Sequence, residues 1–141
     1  MKKGFEKSFM KLQSEYVALC LEVLDNSVEK IYIYLSIEEK SKMFNVFVRK
    51  ADGIYALNKL GIERDLYMRL LKQGTQDIEK VEKLCKKYKA PTPTEMKMVY
   101  DVVTGKYQAD YQYEPVCTVR SAGEIFMDWI KEETVAYKSI F

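Results

Sequence analysis

Hydrophobic residues change their spacing as the chain proceeds, and each change marks a new element. Phe5, Phe9, Leu12, Tyr16, Leu19 and Val23 recur at steps of four and three, which lines them along one face of a helix. Lys7, Lys11, Ser14, Glu15 and Glu22 fall on the other side. Asp25-Asn26-Ser27 supplies turn chemistry and ends the helix. The period then drops to two. Ile31, Ile33, Leu35 and Ile37 alternate with Lys30, Tyr32, Tyr34 and Ser36, the pattern of a half-buried strand. A polar loop from Glu38 to Lys42 leads to a second strand, in which Phe44, Val46 and Val48 alternate with Asn45, Phe47 and Arg49. Asp52-Gly53 predicts a two-residue type I′ turn, whose central residues need positive φ. That turn sets Lys50 against Tyr55 and Val48 against Leu57, giving three antiparallel strands in a meander.

Helical spacing returns after Gly61 with Leu66, Leu70, Ile78, Val81, Leu84 and Cys85. Gly74 interrupts this stripe at a cost of about 1 kcal/mol relative to alanine, which predicts a kink, or two helices meeting near Gln73 to Thr75. Lys80, Lys83, Lys86, Lys87 and Lys89 crowd its C-terminal half, where they suit the negative end of the helix dipole. Ala90-Pro91-Thr92-Pro93-Thr94 cannot continue a helix and reads as an extended connector. Glu95 to Glu114 is the clearest hairpin. With Thr104-Gly105 as its turn, Met96, Met98, Tyr100 and Val102 share a face with Tyr113, Tyr111, Ala109 and Tyr107. The other face carries Lys97, Val99, Asp101 and Val103 opposite Gln112, Asp110, Gln108 and Lys106. Pro115 ends the strand, and Ser121-x-x-Glu124 is a capping box for a last helix with Ile125, Phe126, Trp129 and Ile130 on its buried side. Lys131, Glu132 and Glu133 read as its solvated exit. The order α-β-β-β-α-β-β-α predicts a single α+β domain spanning residues 1–141, an antiparallel sheet of about five strands packed by helices.

Composition changes the picture by exclusion. The 141 residues include no histidine, which removes Ser-His-Asp and Cys-His nucleophile pairs, imidazole zinc sites and imidazole pH switches. Cys20, Cys85 and Cys117 are odd in number and far apart, as expected of reduced cysteines in a cytoplasmic protein. No glycine array cradles phosphate, no acidic loop has calcium or magnesium spacing, and no apolar run is long enough for a membrane span or signal core. No enzyme activity, cofactor, metal or membrane partner is expected. Asp101 and Asp110 share a face, but acids beside lysines on a strand face usually form solvated pairs. With 23 Lys plus Arg against 21 Asp plus Glu, the net charge of +2 disfavours a dedicated nucleic-acid binder. The Lys80–Lys89 run keeps one alternative open, a small nucleic-acid-binding or regulatory domain, although Glu79 and Glu82 cancel part of its charge. Tyr32, Tyr34 and Phe47 lie opposite their strands' aliphatic face, so either a helix covers them or they form an exposed recognition surface.

Gly105-Lys106-Tyr107-Gln108-Ala109-Asp110-Tyr111-Gln112-Tyr113-Glu114 resembles the Gly-Lys-aromatic-x-apolar-Asp-Tyr-x-Tyr-Glu strand of the YezG-like immunity proteins. Glu29-Lys30-Ile31-Tyr32-Ile33-Tyr34 is similar to that family's first strand, and the element order and a closing segment around Trp129 fit as well. The resemblance implies a cytoplasmic antitoxin that binds and neutralises a cognate secreted toxin, commonly a nuclease, in bacterial competition. The implied mechanism is occlusion of the toxin's active site, with acidic and aromatic groups standing in for phosphate and bases. By facing and residue type, the expected contact residues are Asp101, Asp110 and Glu114, with exposed Tyr32 and Tyr34.

Overall fold

A computed structural model describes residues 4–25 and 27–140; Asn26, the middle of the expected first turn, lies outside the described residues. Helix α1 (Phe5–Leu21) leads to strands β1 (Val28–Ser36), β2 (Met43–Lys50) and β3 (Gly53–Ala56). A single 3-10 turn (Leu57–Lys59) precedes helix α2 (Arg64–Lys87). Strands β4 (Glu95–Asp101) and β5 (Tyr107–Gln112) and helix α3 (Ala122–Ile140) complete an α+β single domain. The five strands form one antiparallel sheet in the order β3-β2-β1-β4-β5.

β1 is the central strand, and period-two alternation sends its side chains into two separate cores. Ile31, Ile33 and Leu35, with Phe44, Val46, Val48, Met96 and Met98 from its neighbours, pack under α1 and α2. Tyr32, Tyr34 and Phe47 point the other way and lie under Ala122, Phe126 and Trp129 of α3. The capping box forms as expected. The Ser121 amide donates to Glu124 Oε1 and the Glu124 amide to Ser121 Oγ, both at 3.1 Å. Lys131, Glu132 and Glu133 are not the exit of α3, which runs on to Ile140.

In the helices, three further expectations are corrected. Gly74 neither kinks nor divides α2, which is one unbroken helix of 24 residues. The glycine is buried because the Phe44 ring lies where a side chain would be. Tyr16 stacks on Phe44 and donates its hydroxyl to the Gly74 carbonyl at 2.8 Å. Leu66, expected in the buried stripe, is exposed on the first turns of the helix. In α1, Gln13, Val17 and Cys20 are buried, whereas Leu12 and Leu19 are half-buried.

Both hairpins keep the expected faces but shift register by two residues. In the first, Lys50 pairs with Gly53 and Val48 with Tyr55, so the loop is Ala51-Asp52. It is not a type I′ turn, because Asp52 lacks the positive φ that such a turn requires. In the second, Tyr100 pairs with Tyr107 and Met96 with Tyr111. Here Asp101 Oδ1 accepts the amides of Val103 and Thr104, each at 3.0 Å, and opens the expected two-residue turn into a four-residue loop. Gly105 closes that loop at φ 77°, a conformation that favours glycine. A slip of two leaves every side chain on its own face, whereas a slip of one would invert the sheet.

Candidate functional site

α3 lies over the β1-β2-β3 part of its sheet face and reaches Lys97 and Val99 of β4 at its rim. It packs against β2 and β3, and the Tyr137 hydroxyl donates to the Ala51 carbonyl at 2.6 Å. On the β4-β5 part of the same face, Val99 packs against the α3 core and Lys97 reaches over the Trp129 ring, while Asp101 on β4 and Gln108, Asp110 and Gln112 on β5 lie beyond the helix. Lys30 and Lys106 border this strip, and a shallow cavity of about 370 Å³ opens among Lys30, Val99, Asp101, Lys106 and Gln108.

The sequence-derived candidates divide. Asp110 and Glu114 are exposed near one end of the strip, and Glu114 also accepts the Thr94 hydroxyl on its backbone carbonyl at 2.7 Å. Asp101 stands at the other end. Its cross-strand partner Lys106 lies four positions along β5 from Asp110, which separates the two carboxylates by roughly 13 Å. That is too far to share a proton or flank one bond. Hydrogen bonds from the Thr104 and Val103 amides hold the Asp101 carboxyl below the ordinary aspartate range, so this acid is engaged in shaping the loop.

Tyr32 and Tyr34 are not on the surface. They are 4% and 0% exposed, and the helix-covered alternative is the one realised. Tyr32 stacks on Phe47 with centroids 4.4 Å apart, and Trp129 stands edge-on to both rings. Burial pushes the Tyr32 hydroxyl up to about 12. The Tyr34 hydroxyl, also raised by burial and then by its bond to Glu95, donates to Glu95 Oε2 at 2.8 Å. Mimicry of nucleic acid by these rings is therefore excluded. The strip is also not an acidic patch, since Lys30, Lys97 and Lys106 stand among its two aspartates.

Two residues that the pattern reading passed over hold the site in place. Gln13, 1% exposed, accepts hydroxyl hydrogen bonds from Tyr107 and Tyr111 on Oε1 and so ties α1 to β5. Its signal was available, because Gln13 lies between Phe9 and Tyr16 at steps of four and three on the buried face. Glu38 accepts the amides of Val116 and Cys117 at 3.1 and 2.9 Å and anchors the segment after β5. Nothing in its polar loop marks it. Cys20, Cys85 and Cys117 are all free.

A second surface lies on the opposite side of the molecule. Lys11 of α1 joins Lys80, Lys83 and Lys87 of α2 along a groove of about 480 Å³ that also contains Glu15. Lys83 is paired with Glu79 at 2.9 Å and Lys80 with Asp77 at 3.5 Å. α2 ends at Lys87, and Lys89 follows it at φ 52°. The Lys89 and Ala90 amides close the helix end on the carbonyls of Lys86 and Cys85. Among the described residues, no group of three or more Cys, Asp or Glu side chains is placed to hold a metal ion, and no helix is long and apolar enough to cross a membrane. In comparisons with known proteins, the chain matches no family model and has no significant match among curated proteins.

Proposed function

We propose that this chain is a YezG-like immunity protein, a non-enzymatic cytoplasmic antitoxin that binds a cognate secreted toxin, a nuclease, and occludes its active site. The observation that carries the proposal is the β4-β5 hairpin. Residues 107–112 of the Gly105–Glu114 resemblance form its outer strand, and the β5 side of its polar face is left open beside α3. A rigid strip with alternating charges suits recognition of one complementary surface, because misplaced like charges penalise wrong partners. Asp110 and Glu114 are the contact residues this reading retains, with Lys30 and Gln108 added from the geometry. Asp101 serves by fixing the loop.

The neighbouring open reading frame should encode a secretion domain with a variable C-terminal toxin module. Titrating that module with the purified chain should give a tight complex, and Asp110→Lys should raise its dissociation constant at least about tenfold, the scale of one lost charged contact. Unchanged affinity in a variant with native Trp129 fluorescence would sink the assignment.

The Lys11, Lys80, Lys83 and Lys87 groove favours a second reading, a small nucleic-acid-binding or regulatory domain. Two of its lysines are already neutralised by acids on their own helix, which weakens it. A low-salt gel shift with single- and double-stranded DNA and RNA separates the two; no shift removes this one.

A further inference from the structure

β5 is an open edge. It pairs with β4 on one side, and among the described residues no element packs along its other side. The opposite edge of the sheet is different, because β3 has only four residues and α3 and the 3-10 turn pack against it. The Asp101 amide donates to the Lys106 carbonyl at 2.9 Å, which fixes the phase of the ladder. Lys106, Gln108, Asp110 and Gln112 direct their backbone groups toward β4, so Tyr107, Ala109 and Tyr111 direct theirs outward. Several usual guards of an exposed edge are missing, and the two charges along it, Lys106 and Asp110, are of opposite sign. The strand Tyr-Gln-Ala-Asp-Tyr-Gln has no proline and no lysine, and its register against β4 has no bulge.

We infer that β5 pairs antiparallel with β5 of a second copy of this chain, making one continuous sheet about a two-fold axis through Gln108. The strand is self-complementary in that register. Tyr107 falls opposite Ala109 of the second copy, forming the hydrogen-bonded sites, and Asp110 falls opposite Lys106 of the second copy at a closely spaced site. The symmetry repeats both pairs, so the interface carries two opposite-charge contacts and no facing like charges. Both charges are free to make them. Neither Asp110 nor Lys106 has an ion-pair partner among the described residues. Lys97, the cross-strand neighbour of Asp110, instead places its Nζ over the Trp129 ring, 5.4 Å from the centroid. The axis also brings both α1 helices to one face of the joined sheet, where exposed Met10 and Leu21 line an apolar groove of about 360 Å³ with Val17 and Tyr107. A net charge of +2 opposes the approach of two copies only weakly.

The proposal concerns the chain without its toxin, so it is tested on the purified full chain alone, by sedimentation equilibrium from micromolar to millimolar concentration. A monomer–dimer equilibrium is expected. Asp110→Lys and Lys106→Asp should each raise its dissociation constant at least about tenfold, since each turns two cross-strand attractions into repulsions. The double variant should return it to within about threefold of the original. Ala109→Pro, which removes an outward amide and leaves the β4 ladder intact, should abolish the dimer. A chain that stays monomeric over the whole range overturns the proposal. So does a dimer indifferent to the single reversals, or one that the double variant fails to restore. Each of these three failures leaves toxin binding to be judged on its own titration.

Discussion

Gly74 has its role through what it lacks. The Phe44 ring occupies the space of its missing side chain, and the Tyr16 hydroxyl reaches its carbonyl because nothing shields it. This close contact sets how near α2 comes to β2. In Gly74→Ala, alanine's better helix propensity should gain about 1 kcal/mol, while overpacking against a buried ring costs about 1–3 kcal/mol. Because a Cβ there would overlap the Phe44 ring, the upper part of that range, about 2–3 kcal/mol, applies, and a net loss of about 1–2 kcal/mol is expected in urea unfolding, with native helix content retained. A variant as stable as the parent would show that the Phe44 ring can move aside. From sequence, the same glycine reads as a break, because propensity is visible in one dimension and a ring approaching from a distant strand is not. Gln13 is the converse case. A polar residue within an apolar stripe does announce a buried hydrogen bond, but not that two tyrosines from β5 would provide it.

At the level of elements, the binary pattern carried most of the fold. Every strand alternation, the first and last helices and the apolar stripe of α2 are legible, since each depends on a local period, but not that α2 runs unbroken through Gly74. Register was less so. Asp52-Gly53 and Thr104-Gly105 both locate their turns, but turn geometry is settled by side-chain hydrogen bonds and by the φ that each residue accepts. Tyr32 and Tyr34 illustrate the limit for the site, because alternation showed that they face away from the aliphatic core but not that α3 returns to cover them. The Asp101 loop permits a direct check. Its carboxyl is held below the ordinary range in the folded chain, so its stabilising effect is present above the unfolded value, about pH 3.9. It is lost as pH falls through the folded value. Protection factors of the Val103 and Thr104 amides should fall in that window, and Asp101→Asn, which keeps an acceptor but not the charge, should flatten the dependence. An equally steep fall in the variant would assign the effect to another group.

For the molecule as a whole, the sheet is a wall between two cores that share strands but not helices. α1 and α2 are tied together through the larger core, whereas α3 holds the smaller one by itself and is positioned by its capping box. The only tryptophan, Trp129, belongs to that smaller core, so its fluorescence reports one side of the wall. Ser121→Ala should cost about 1 kcal/mol. If the α3 layer loosens ahead of the rest, the Trp129 transition in urea should move to lower concentration than the far-ultraviolet circular dichroism transition. Coincident transitions would mean that both cores unfold as one unit.

The difference between the two ends of the sheet gives the molecule a valence. With β3 only four residues long and running straight into the 3-10 turn, each copy offers one long free edge at which a strand can be added, and two copies that meet there consume both. Association through this sheet therefore saturates at a pair. A chain in which β3 were extended would offer two such edges, and the same edge chemistry would then continue from copy to copy as a filament. In this sense the brevity of β3 acts as a terminator of polymer growth.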